Sequence, residues 1–415
     1  MKYLYFFCAV VTLAMSFSIG FVLADGSIQF FSESAELINE AENLENDYEE
    51  ETFTDEIAET VASMSLAEKI GQLVMVGVDG YEHDENSKHL IKNYHVGGFV
   101  LLKQNIKNLE QMLDLINSLK KANSVNKIPL FLAIDEEGGR ISRLPQEFAK
   151  IPSSKAIGEI NNGEISYQVG SIIGEELKML GLNMNFAPVL DINSNAENPV
   201  IGDRAFGDKP GIVSKLGIQT MKGLQEQNIV SVVKHFPGHG DTSVDSHYGL
   251  PIVNNDLDRL ESFELLPFYE AVKNGADAVM IAHIMLPKID ANSPATFSKT
   301  IINDILRNKM DFEGVVITDD MTMGAINDNF DLGKAAVESI KAGSDIILVC
   351  HDFAKEEAVL KALYEAAENK DIPITRIDQS VYRILKMKQK YGVNDKAVKD
   401  VNPKIINSKI QKLFH

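Results

Sequence analysis

The side chains best suited to proton chemistry crowd into one stretch. It reads Lys234-His235-Phe236-Pro237-Gly238-His239-Gly240-Asp241-Thr242, followed by Asp245-Ser246-His247. Three of the nine histidines in the chain fall there. Pro237, Gly238 and Gly240 make it a loop and not a helix. Imidazole is suited to proton transfer near neutral pH. Asp245 stands two residues before His247. From there its carboxylate can hydrogen-bond one ring nitrogen, fix the tautomer and raise the basicity of the other. A structured surface loop with capping aspartates, or a metal cluster, is the alternative reading of the same residues.

A second candidate is Asp319-Asp320, which follows the apolar run Val315-Val316-Ile317. Successive strand residues face opposite ways, so one carboxylate should enter a pocket while the other braces a loop or caps a helix. The spacing does not say which.

These residues need elements to hold them. Eight short apolar runs read as strands: Ile70–Val78, Val96–Leu102, Ile128–Asp135, Leu182–Ile192, Ile229–His235, Ala276–Ile284, Gly314–Asp320 and Ser344–Cys350. Continuous Val- and Ile-rich runs are expected of parallel strands covered on both faces. Helical patterns alternate with them over Asn108–Ala122, Glu164–Gly181, Ile212–Gln227, Asp256–Gly275, Thr300–Asn308, Leu332–Ala342 and Lys355–Asn369. Asp256 is placed to cap a helix, and Gly181, Gly275 and Gly343 stand where a left-handed residue would end one. The expected fold is α/β, a single (β/α)8 TIM barrel. A doubly wound open sheet is the structural alternative, and no G-x-G-x-x-G follows a strand to support its dinucleotide-binding form.

Charged residues stand at the ends of six of the eight runs. They are Asp135-Glu136-Glu137, Asp191, Lys234-His235, His283, Asp319-Asp320 and His351-Asp352. A charge after an apolar strand is costly unless it is solvated or used. Repetition around a ring predicts one shared polar pocket at the C-terminal ends of the strands.

The 415 residues carry 40 basic and 60 acidic side chains, a formal net charge of −20. Such acidity excludes nucleic acid as a partner. The charge is uneven. Asp25 to Thr60 holds thirteen acidic residues and no Lys or Arg, so this stretch reads as a solvated spacer. Before it, Lys2 precedes an uncharged apolar run, Leu4 to Leu23, closed by Val22-Leu23-Ala24. Residues 1–24 are therefore expected to be a signal peptide, or an uncleaved membrane anchor if retained. The protein is accordingly expected to be exported: secreted, periplasmic or cell-surface. The catalytic barrel is expected over 61–395 and a tail over 396–415.

Five blocks of this sequence resemble glycoside hydrolase family 3, and more narrowly its β-N-acetylhexosaminidase branch. They are the loop Lys234–His247, the stretch Asp135–Arg143, Asn198-Pro-Val-Ile-Gly-Asp-Arg204-Ala-Phe206-Gly207, Thr318-Asp319-Asp320-Met321 with Met323-Gly324-Ala325, and Arg383-Ile384-Leu385 with Lys388 and Gly392. The resemblance spans about residues 60–393 in consistent order. It implies a retaining hydrolase, with no cofactor or metal, acting on terminal β-linked N-acetylglucosamine in carbohydrate from cell-wall or chitin fragments. Asp319 matches the nucleophile, His247 the general acid/base and Asp245 its partner. Asp135, Arg143, Arg204, Lys234 and His235 match sugar-binding positions. Many members carry a second α/β domain; the short stretch after Gly392 leads us to expect a barrel that supplies its own acid. His239 and Asp241 read as loop-shaping residues, and Glu136 and His283 receive no role.

Four alternatives follow the same residues. A histidine acid does not repel phosphate as a carboxylate would, so a phosphorylase is one. A β-glucosidase is another, against which the histidine loop argues. A metal-dependent hydrolase is the third, weakened by the lack of a helical H-x-x-x-H or a strand-borne H-x-H. A sugar-binding protein without turnover would leave the catalytic set unexplained.

Overall fold

The computed structural model describes residues 55–414. The leader and all but the last residues of the acidic segment lie outside the described residues. Eight parallel strands close into a barrel in the order β1-β2-β3-β4-β5-β6-β7-β8. They are β1 (Val74–Val76), β2 (Gly98–Leu101), β3 (Phe131–Ile134), β4 (Met184–Asn185), β5 (Val230–Phe236), β6 (Ala278–Ile281), β7 (Val315–Asp320) and β8 (Ile346–Val349). Seven fall inside one of the eight apolar runs, and β5 extends one residue past its run, to Phe236. The strands are buried on both faces, apart from the half-buried Asp319 and Asp320. That is why their sequences run apolar without alternation.

The differences from the sequence reading have local causes. Ile70 to Gln72 end a helix (Leu66–Gln72) and do not open β1. Ser65 and Glu68 form a reciprocal capping box that starts this helix and carries it into the apolar run. The run at Asp256–Gly275 is two helices, Leu257–Ser262 and Leu266–Lys273. Pro267 cannot donate to a continuing helix and sits in the first turn of the second. Only Met184 and Asn185 pair as β4, because Pro188 interrupts the run that continues to Ile192. Asp256 caps its helix by accepting the Arg259 N–H. Gly181, Gly275 and Gly343 all have positive φ where helices end.

The N-terminal end of the barrel is stapled by buried polar and ionisable side chains. Lys388, on the helix Ile374–Lys390, donates to Gln72 Oε1 at 2.7 Å, the Gly97 carbonyl at 3.0 Å and the Pro129 carbonyl at 2.7 Å. Asp345 binds Arg307, Arg376 and Arg383. A single helix is thereby tied to several strand starts. The first described helix, Glu56–Ser63, spans the junction expected near residue 60. The segment expected as a tail includes a helix, Pro403–Phe414, that packs against the helix Gly163–Leu180.

Two strand pairs break register near their C-terminal ends. β5 and β6 shift between Val233 and Phe236, and β7 and β8 shift between Ile317 and Asp320. Such irregularities re-aim side chains. These two bracket Lys234-His235 and Asp319.

Candidate active site

A cavity of about 330 Å³ opens at the C-terminal ends of the strands. That is the small end of the range for ligand pockets and fits a compact ligand. Asp135, Arg143, Arg204, Lys234, His235, His247 and Asp319 all line it. Asp245 stands behind His247.

The floor is a charge network. Lys234 is 2% exposed and lies 2.6 Å from Asp135 Oδ1 and 2.7 Å from Glu137 Oε1. Arg204 also grips Glu137, donating from Nε to Oε2 at 2.9 Å and from Nη2 to Oε1 at 2.7 Å. Burial opposes the charge on Glu137, Lys234 and Arg204. For Glu137 the Arg204 and Lys234 cations outweigh it and hold the carboxyl below its ordinary value. For Lys234, Asp135 and Glu137 outweigh it and raise the ammonium. Glu137 and Lys234 therefore stay ionised, and the network offers a ligand strong, directional partners. Arg143 adds a buried Nε that has no hydrogen-bond partner among the described residues.

His235 is fixed from both sides. Its Nδ1 is 2.6 Å from the buried Asp191 Oδ2, and its Nε2 is 3.4 Å from Arg204 Nη2. A carboxylate only accepts and a guanidinium only donates. Nδ1 therefore carries the proton and Nε2 accepts. Asp191 also accepts the His239 N–H at 2.7 Å. Burial would raise the Asp191 carboxyl, but His235 and His239 keep it below the ordinary value.

β7 separates its two aspartates as alternation requires. Asp320 braces: its carboxylate accepts the Thr322 N–H at 3.0 Å, the Thr322 hydroxyl at 2.7 Å and the Cys350 N–H at 3.0 Å. Asp319 is left with one protein hydrogen bond among the described residues, from the Asp320 N–H at 2.8 Å. The Asp320 carbonyl in turn accepts from His283 Nε2 at 2.9 Å. Burial would raise the Asp319 carboxyl; His283, His235, the Asp320 amide and Lys234 outweigh it and hold it low. An ionised, sparsely hydrogen-bonded carboxylate facing a pocket is equipped to attack.

The loop after β5 brings the histidine. His247 Nδ1 is 2.7 Å from Asp245 Oδ1, and that oxygen also accepts the His247 N–H at 2.9 Å. Nδ1 donates, so Nε2 is the nitrogen that can give or take a proton. Its side chain is 61% exposed, while Asp245 is 25% exposed. Burial would raise the Asp245 carboxyl, and the His247 amide and ring lower it. The loop docks on the segment after β7, where Ala325 N–H donates to the Ser246 carbonyl at 3.0 Å and Gly324 N–H to the His247 carbonyl at 3.3 Å. His239 bonds Thr242 and Ser246, and burial pushes its pKa down to about 4. It is a neutral strut. Asp241 accepts from Asn255.

Sequence reasoning left Glu137 and Asp191 without roles, although both stand at strand ends. Their strand-end charge was the available signal; which cation each meets is set by folding. Glu136 points away from the cavity and accepts the Arg143 and Leu144 amides. Burial pushes it up to about 7.

Comparison with known proteins gives a consistent picture. A family model described as the glycosyl hydrolase family 3 N-terminal domain matches residues 65–387. Beta-hexosaminidase A of Pseudoalteromonas piscicida is 37% identical over 348 residues, which is 78% of this chain and 58% of that protein. The chain thus spans under two thirds of this relative. A beta-hexosaminidase of Idiomarina loihiensis is 35% identical over 299 residues, 71% of this chain and 88% of its own length. A solved family 3 β-N-acetylglucosaminidase from Paenibacillus sp. superposes with a TM-score of 0.82 at 39% identity, covering 85% of this chain and 68% of that one.

Proposed function

The chain belongs to glycosyl hydrolase family 3, and from that premise we propose that it is an exo-acting, retaining β-N-acetylglucosaminidase. The observation that carries the reading is the shared cavity. An ionised carboxylate, Asp319, and a histidine oriented by a carboxylate, His247 with Asp245, both open onto it. Retention requires a nucleophile on one side of the anomeric carbon and a proton donor on the other.

The reaction then runs in two steps. The terminal sugar sits on the Asp135, Lys234, Arg204, His235 and Arg143 floor. Asp319 attacks the anomeric carbon and the bond to the leaving oxygen breaks. His247 Nε2 gives that oxygen a proton, while Asp245 stabilises the charged ring during its transient protonated state. A glycosyl ester on Asp319 results. His247, now neutral, takes a proton from water, which attacks the same carbon and releases the sugar and Asp319. The β configuration is kept because displacement happens twice.

The natural substrates in this reading are cell-wall or chitin-derived fragments ending in β-linked N-acetylglucosamine. Export fits that role, and the reading of residues 1–24 as a leader supports it. The relatives named as beta-hexosaminidases support the sugar specificity. The test is a panel of aryl β-glycosides, with and without phosphate. Release of free sugar from the N-acetylglucosaminide, abolished in Asp319→Ala, is the expected result. Sugar 1-phosphate as the main product would show a phosphorylase, and preference for the glucoside would overturn the specificity.

A further inference from the structure

Asn198 is buried, 7% exposed, and lies in none of the elements of the barrel. A side-chain amide has two donor hydrogens and one acceptor oxygen. Here the two ends serve different loops. Oδ1 accepts the Val200 N–H at 2.9 Å and the Ile201 N–H at 2.8 Å. Those two residues open the turn that delivers Arg204 to the cavity. Nδ2 faces the His239 carbonyl at 2.9 Å, the Gly240 carbonyl at 3.1 Å and Thr242 Oγ1 at 3.2 Å. Those residues are the root of the loop that ends in Asp245 and His247.

The root is tight elsewhere too. A Cβ on Gly240 would overlap the Ile192 carbonyl, so the chain there cannot be spaced out by a side chain. Beyond the root the loop loosens. Ser243 and Val244 are exposed, and so is His247. Past Val244 it is held by the 3.3 Å contact of Ser246 Oγ with His239 Nε2 and by two backbone bonds to Gly324 and Ala325. The root is thus tied to the turn carrying Arg204 by the Asn198 amide, beside Asn195, whose Nδ2 donates to the Thr242 carbonyl at 3.1 Å and whose N–H donates to the Gly240 carbonyl at 3.3 Å.

We propose that Asn198 is a positioning residue for acid catalysis: it fixes the reach of His247 relative to a sugar held at Arg204. This rests on the reading of His247 as the proton donor. A proton donor must lie within hydrogen-bond reach of the leaving oxygen, and small displacements are costly. Loss of the link slows departure of poor leaving groups, which need a proton, and spares good ones.

Asn198→Asp divides the two halves of the link. The aspartate oxygen still accepts from Val200 and Ile201, while the donors to the loop root are gone. Asn198→Ala removes both halves. The experiment measures kcat/KM for aryl N-acetyl-β-glucosaminides of graded leaving-group acidity, and the inhibition constant of free N-acetylglucosamine as a readout of sugar binding. His247→Ala is the reference. Asn198→Asp should keep sugar affinity within about threefold of wild type. Its kcat/KM for the least acidic leaving group should fall about tenfold or more relative to the most acidic, in the direction of His247→Ala. Equal losses across the series, or a loss confined to sugar affinity, would overturn the proposal. If His247→Ala itself showed no leaving-group dependence, the assignment of the acid would fail instead. Thr242→Val removes the hydroxyl at the loop root without touching the Arg204 turn, and carries the same comparison if neither Asn198 variant folds.

Discussion

At the scale of residues, the site is a set of charges that burial would extinguish one by one and that survive as a group. Glu137 shows this most plainly, since Lys234 and Arg204 both lean on it. Glu137→Gln removes the carboxylate that both buried cations contact, and leaves Lys234 only its direct pair with Asp135. Breaking such a buried set typically costs about 3–5 kcal/mol. The expected outcome is a loss of that order in denaturant melts, with kcat/KM reduced because Lys234 and Arg204 lose their orientation. Unchanged stability would show that the cations are solvated. The low pKa of Asp319 makes a second prediction. The proposed nucleophile, held below the ordinary aspartate value of 3.8, stays ionised down to that pH. Any acid-side loss of kcat/KM tracing to Asp319 therefore lies below 3.8. A limb near pH 5 that Asp319 controls would contradict the arrangement of His283, His235, the Asp320 amide and Lys234 around it.

At the scale of elements, the two ends of the barrel do different work. Lys388 sits at the N-terminal end, where its three acceptors belong to a helix, a strand start and a loop. Lys388→Met should destabilise the protein by about 2–4 kcal/mol, because those acceptors are left buried and unpaired. Activity per folded molecule should be unchanged, as the substitution is far from the strand ends that line the cavity. A second prediction concerns the helix Phe353–Glu368. Its Glu356 accepts the Gly77 N–H at 3.0 Å. Burial pushes this carboxyl from 4.5 up to about 8. The folded state keeps a proton that the unfolded chain gives up above 4.5. The contribution is fully present below pH 4.5 and is lost as pH rises through about 8. Glu356→Gln keeps the acceptor and removes the titration. Its stability relative to wild type should climb between pH 4.5 and 8, by up to about 1.4 kcal/mol per unit. Parallel melting curves across that range would show that Glu356 is solvated.

At the scale of the whole molecule, the barrel was legible because buried parallel strands must be apolar throughout. The eight runs survive as eight strands. Their edges were less legible. The Ser65–Glu68 box that carries a helix into Ile70 is a sequence signal, but it competes with an apolar run that reads equally well as a strand. The pocket was legible from charges repeated at strand ends. Its internal pairing was not: Glu137 with Arg204, Asp191 with His235 and Asn198 with the loop root join residues far apart in sequence. No spacing rule reaches across the ring. The division of Asp319 from Asp320 was foreseen as a division, and the hydrogen bonds to Thr322 and Cys350 assign the bracing role to Asp320. All the proposed site residues lie within residues 55–414, so a chain beginning at Asp55 should retain kcat/KM within about twofold of the full chain. The claim on which everything rests is that Asp319 carries the sugar through the reaction. Its most direct test is to trap the ester with a fluorinated N-acetylglucosaminide that forms it quickly and hydrolyses it slowly, then weigh the protein and map the label. The account predicts one added sugar per chain, on the peptide containing Asp319 and absent in Asp319→Ala. A fully active enzyme that acquires no label, or carries it on Asp320, would contradict it.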